Sequence, residues 1–123
     1  WKPSALENMV RALEAAPHAS YSYGTYRLGD RWSSSEGFDA AVLRRRNFVS
    51  TMSLVRREHH PGWDESLRRL QDWDVWLTML ERGHVGVHCG SVIFATAVRN
   101  GITYGGALTY DAAALIVRRK HGL

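Results

Sequence analysis

The spacing of apolar residues switches along this chain from a period near 3.6 to a period of 2 and back. That switching limits the fold more than any other feature of the sequence. Leu6, Met9, Val10 and Leu13 recur at helical spacing. Ser4 and Glu7 precede and overlap them at capping-box spacing, Pro3 suits a helix start and Pro17 ends the run, so a helix is expected over residues 4–16. Tyr21, Tyr23 and Thr25 then alternate with Ser20, Ser22 and Gly24, the period of a half-buried strand over 19–28. Gly29-Asp30 reads as a turn, 31–37 as a polar loop, and Asp39 as the cap of a short helix through Arg45. A second strand is expected from Phe48 to Arg56, broken by His59-His60-Pro61-Gly62, with Trp63 to Leu67 a turn leading into a short helical piece. Trp73, Trp76, Leu77 and Leu80 form the apolar stripe of a helix from about Asp72 to Arg82, with Gly83 where a left-handed cap is wanted. Val85 to Val98 supplies one or two strands bent at Gly90. Gly101 to Gly106 reads as loop, and Asp111 to Lys120 as a last helix stopped by Gly122. The expected class is therefore α/β, a mixed sheet flanked by helices.

With 123 residues, 45% of them hydrophobic, the sequence can bury one modest core, so residues 1–123 are expected to form a single domain. The one cysteine, Cys89, excludes an internal disulfide framework and fits a reducing compartment. Apolar stretches such as Val92 to Val98 fall far short of the roughly 20 residues of a membrane-spanning helix. Trp1-Lys2-Pro3 leads directly into the first amphipathic pattern without a signal-peptide pattern, and the opening reads as part of a longer chain. A formal charge of +4 would suit an anionic partner. Its carriers, however, lie in short groups (Arg44-Arg45-Arg46, Arg56-Arg57, Arg68-Arg69 and Arg118-Arg119-Lys120), which read first as solvated faces of helices and strand ends.

Several chemistries can be set aside. His84 and His88 are four apart, but Val85-Gly86-Val87 between them favours a strand, where four residues span about 13 Å, too far for one zinc ion. Cys89 adjoins His88 but should point to the opposite sheet face, and His59-His60 read as surface loop. No phosphate-cradling glycine loop and no nucleophile elbow is present. The remaining candidates are Asp64, Glu65, Asp72 and Asp74, interleaved with Trp63, Trp73 and Trp76, the materials of an acidic pocket with an aromatic rim that could hold a sugar and deprotonate a hydroxyl. Spacing alone favours a plainer reading, with Asp72 as an N-cap and Asp74 as a first-turn acid matched to the helix dipole.

The order of motifs over residues 1 to about 99 resembles the second half of a family 2 inverting glycosyltransferase of the GT-A fold. Trp1-Lys2-Pro3 with Leu6-Glu7 is similar to the segment directly after that family's metal-binding DxD motif. Pro17 followed by a Tyr-rich strand, then Phe38-Asp39, Leu43, Asn47-Phe48 and Ser53-Leu54-Val55-Arg56-Arg57, resembles its central strand and the approach to it. Gly62-Trp63-Asp64-Glu65-Ser66-Leu67 is similar to its G-aromatic-D-E-x-L turn. Gln71-Asp72-Trp73-Asp74-Val75-Trp76-Leu77 with Gly83 resembles its E-D-x-D-x-W-L segment, departing from it by Gln71 in place of Glu.

This resemblance implies a partial GT-A-like fold lacking the N-terminal nucleotide-binding half. The implied reaction is transfer of a sugar from a nucleotide diphosphate sugar to a saccharide or other hydroxyl acceptor with inversion. It puts Asp72 in the position of the general base, Trp63, Asp64 and Glu65 in the turn that shapes the acceptor site, and His121 in that of an occasional metal ligand or diphosphate contact, for which a frayed basic tail is the plain alternative. Mg²⁺ or Mn²⁺ is implied for the full-length parent, with ligands mostly outside this chain, which alone is expected to be inactive. Loss of the nucleotide-binding half would leave apolar surface to cover, which suggests a homodimer. A cytoplasmic location is expected, extending to peripheral association with the inner membrane surface. Two alternatives from other classes stand beside it: a small basic module binding nucleic acid or another polyanion, and a non-catalytic structural remnant.

Overall fold

The computed structural model describes residues 3–33, 37–96 and 109–123. The expectations for Trp1-Lys2, for 34–36, for the end of the last strand at 97–98 and for the Gly101 to Gly106 loop lie outside these residues. Within them the fold is mixed α/β, an open sheet with helices on both faces. The elements are α1 (Ala5–Ala15), β1 (Ala19–Leu28), β2 (Arg31–Trp32), α2 (Ala40–Arg45), β3 (Leu54–Val55), a 3₁₀ turn (Arg57–His59), α3 (Gln71–Glu81), β4 (Val85–Thr96) and α4 (Tyr110–Lys120).

Strand β1 is the centre of the sheet. β4 runs parallel to it along its whole length, with register shifts around Gly24, while the short β2 and β3 pair antiparallel to opposite ends of its other edge. The strand is buried on both sides from Ala19 to Thr25, rather than half-buried as its alternation predicts. Ser20, Ser22 and Gly24 are small because something packs closely there, not because the face is wet. The Ser22 hydroxyl donates to the Met9 carbonyl of α1 at 2.8 Å. A Cβ on Gly24 would lie 2.4 Å from Ile93 Cγ2 and 2.9 Å from the Ser91 carbonyl oxygen. Because that carbonyl belongs to the paired strand, it cannot rotate away. Gly24→Ala should therefore destabilise the fold by about 1–3 kcal/mol, read from the urea midpoint.

Helix α1 covers this face through Ala5, Met9 and Leu13, which meet Ile93, Leu54 and Val87. Two expectations for α1 are corrected. Leu6 and Val10 are exposed, since the buried stripe runs one residue earlier. Ser4 makes no side-chain cap, its hydroxyl accepting instead from Asn8 Nδ2 at 3.5 Å, while Glu7 pairs with Arg11 at 2.8 Å. On the other face Tyr21 and Tyr23 pack into the main core with Leu43, Phe48, Val49, Trp73, Trp76 and Val117. Helix α3 is buried almost all round, more than its apolar stripe suggests, and ends as expected at Gly83, whose φ is +83°.

The expected strand from Phe48 to Arg56 survives only as Leu54–Val55. Side chains take up the backbone groups a ladder would need. Val49 N–H donates to Asn47 Oδ1, Met52 N–H to Ser50 Oγ, and the Trp76 indole to the Val49 carbonyl. Likewise 31–37 is not all loop, because Arg31 and Trp32 close a hairpin with β1. No helical turn follows Trp63: Asp64 accepts from both the backbone and the hydroxyl of Ser66 and holds a turn instead. Asp39 does cap α2, accepting from the N–H groups of Ala41 and Val42. No helix among the described residues is long and apolar enough to cross a membrane.

Candidate functional site

Four segments distant in sequence border one open cleft of about 1760 Å³: the β1–β2 hairpin, the residues after α2, the 63–72 segment and the start of α4. Asp72, Trp63, Asp64 and Glu65, singled out from the sequence, all line it. His121 does not, and neither does Asp74.

Asp72 is not the N-cap of α3. That position belongs to Leu70, held at φ +60° with no side-chain cap, and Asp72 stands in the first helical turn. Its carboxylate accepts from the backbone N–H groups of Trp73 and Asp72 itself and, at 3.0 Å, from Asn47 Nδ2. The Asn47 amide is fixed in turn, because its oxygen is taken by the Val49 N–H at 3.1 Å. Burial pushes the Asp72 carboxyl above its ordinary range, and the hydrogen bonds from Trp73 and Asn47 offset only part of that. In place of the expected cap, the structure gives an oriented acid with a strengthened hold on a proton.

Across the cleft Tyr26 feels Asp72, Tyr110 and Arg46. Burial, then the negative charge of Asp72, raise its hydroxyl above the usual tyrosine value. Tyr26 is itself held by stacking on Phe94, ring centroids 5.2 Å apart. Sequence reasoning missed Asn47 and Tyr26 as site residues, since neither stands near Asp72 in the chain. Trp63 is 53% exposed and free to meet a ligand at the rim. Asp64 is turned toward Lys120 of α4 at 2.8 Å, and that bond together with those from Ser66 holds its carboxyl at about 2. Glu65 is exposed at the cleft edge.

Asp74, although only two residues from Asp72, has a different job. It is 2% exposed and accepts from Lys120 Nζ and, at 2.7 Å, from His121 Nε2, while His121 Nδ1 meets Glu81. His121 is thus neither frayed nor open to an ion. Both of its ring nitrogens are taken up by carboxylates, Nε2 by Asp74 and Nδ1 by Glu81. Among the described residues no three histidine, cysteine or acidic groups are placed to hold a metal. These residues do not fit a divalent cation, and no step below passes through one.

His59, His84 and His88 are engaged as well. His84 stacks on His59 at 4.2 Å, and His59 meets the Ser20 hydroxyl, so His59 is an internal contact rather than a surface loop residue. His88 Nδ1 accepts from the Gly90 N–H, and its other nitrogen is 2.9 Å from Thr25 Oγ1. Cys89 packs toward α1 while His88 meets Tyr23 on the opposite face, as the strand period requires. The arginines also separate by role. Arg56 donates to the carbonyls of Ala19 and Leu13, and Arg118 to that of Arg45, so these two close the ends of structural elements.

Comparison of the chain with protein-family models, with curated proteins and with solved structures finds no match.

Proposed function

We propose that this chain is the acceptor-side portion of an inverting glycosyltransferase related to family 2, with Asp72 as the general base. The observation that carries the reading is the cleft itself: the acid, the aromatic residue and the turn singled out from the sequence meet on one surface, with Asp72 oriented by Asn47. In the transfer, an acceptor hydroxyl oxygen donates an electron pair to the anomeric carbon. The bond from that carbon to the nucleoside diphosphate breaks, its electron pair leaves with the diphosphate, and the hydroxyl proton passes to the Asp72 carboxylate. Asn47 acts as a positioning residue, holding the carboxylate toward the cleft. Trp63 offers a flat apolar face of the kind that packs on a sugar ring.

The donor half of such an enzyme would come from sequence ahead of Trp1. Reading the coding sequence there tests the proposal directly. A β-α-β segment ending in a DxD motif just before Trp1 is the expected result. A start codon at that point would leave no donor site and overturn it. The polyanion-binding reading keeps one observation in its favour, the arginines that line the same cleft.

A further inference from the structure

Arg31, Arg46, Arg68 and Arg69 come from three separate parts of the chain and line the same cleft as Asp72. The sequence groups Arg46, Arg68 and Arg69 with solvated faces and puts Arg31 in a polar loop, and the fold brings them together. Arg31, Arg46 and Arg68 make no ion pair with any carboxylate among the described residues. The cleft's own acids are otherwise engaged: Asp64 is bound to Lys120, and Asp72 accepts from Asn47 and the helix backbone. Arg46 and Asp72 both line the cleft, and Tyr26 feels the charge of each, so a guanidinium and the base act on one part of it. Arg69 lies over the Tyr110 ring at 5.5 Å, which stiffens one wall.

We propose that this cleft selects an acceptor carrying a phosphate group, the phosphate held by Arg46 and Arg68 while a hydroxyl of the same molecule faces Asp72. The inference rests on the transferase reading and deepens it by naming the acceptor class. Planar guanidinium groups match phosphate oxygens in pairs, and several without acidic partners in one concavity attract an anion strongly. A continuous polyanion fits less well, because a strand threaded through the cleft would pass Asp64, Glu65 and Asp72 at close range. One anionic group beside a neutral, hydroxyl-bearing body matches the mixture of charges.

The test uses the chain as it is, followed by Trp indole and Arg Nε signals in NMR, with glucose 6-phosphate, glucose, inorganic phosphate and a short single-stranded oligonucleotide as separate probes. Glucose 6-phosphate should bind at least about tenfold more tightly than either glucose or inorganic phosphate alone. Arg46→Gln and Arg68→Gln should each weaken it by about tenfold while leaving the weak glucose response unchanged. Both positions are exposed, so the variants should keep the parent spectrum elsewhere. Phosphatidylcholine vesicles with and without phosphatidylglycerol identify the source. Binding confined to the phosphatidylglycerol vesicles would assign the phosphate to a lipid headgroup, and binding confined to the sugar phosphate to a soluble acceptor. Equal binding of glucose and glucose 6-phosphate, insensitivity to both arginine variants, or tighter and steeply salt-dependent binding of the oligonucleotide would each overturn the proposal. Asp72→Asn keeps the phosphate contacts, so sugar-phosphate binding that survives it in this chain, while transfer is lost in the protein that carries both halves, supports both readings. Phosphate binding with no effect of Asp72→Asn on transfer would remove the base assignment and leave the anion site standing.

Discussion

Asp74→Ala should cost the fold about 3 kcal/mol, the largest stability loss expected from any acidic position among the described residues. Asp74 is buried within α3, and its carboxylate receives both Lys120 and His121 at the end of α4. Truncation leaves the His121 side chain, 4% exposed, without its partner at Nε2, an uncompensated polar group in a dry site. The figure lies at the low end for a broken buried pair because Lys120 keeps Asp64 and some water. Urea unfolding gives the number, and hydrogen exchange should show α4 losing protection before α1. A loss below about 1 kcal/mol would mean that apolar packing of Ala113, Ala114 and Val117, not this ion cluster, holds α4 in place. Asp74→Asn is for the same reason a poor control for changes at Asp72. Glu58→Gln, exposed and away from the cleft, is a suitable one.

Asp72 behaves in the opposite sense. Its folded carboxyl titrates above the ordinary value of 3.8, so between that value and the raised one the folded chain holds a proton that the unfolded chain releases. Stability from this group falls as pH rises through that window, and at neutral pH the ionised Asp72 works against folding. Asp72→Asn removes the penalty and keeps an oxygen for Asn47 to donate to. The variant should be at least as stable as the parent near about pH 7 and lose that advantage below about pH 3.8. In transfer the same shift places the acidic limb of kcat/KM above the ordinary carboxylate range, because the protonated acid cannot accept the hydroxyl proton.

How much of this was legible in the sequence differs from element to element. The elements α1, β1, α3 and α4 were readable because each carries its own residue period within ten to a dozen residues, although β1 is buried on both faces and not one. The segment from Phe48 to Ser53 was not. Its β-branched residues promise a strand, but its backbone groups go to Asn47, Ser50 and Trp76, and Trp76 lies 27 positions from the Val49 carbonyl it meets. The same limit applies to the site. Asp72 and the Trp63 to Glu65 turn could be singled out from local motifs, whereas the partners that separate Asp72 from Asp74 could not. The roles of these two acids depend on Asn47 for one and on the end of α4 for the other. The meeting of Arg31, Arg46 and Arg68 is likewise a product of tertiary structure, with no signal in the order of residues.

The base assignment is tested most directly by transfer measured in the protein that carries both halves, comparing Asp72→Asn with Glu58→Gln and the parent. Asp72→Asn should lower transfer by roughly 100-fold or more while the protein stays folded and still binds the nucleotide sugar, since only a positioned proton acceptor has been lost. Glu58→Gln should leave transfer at the parent rate. A folded Asp72→Asn protein that transfers sugar at nearly the parent rate would contradict the account and leave Asp72 as a carboxylate that only ties Asn47 to the first turn of α3.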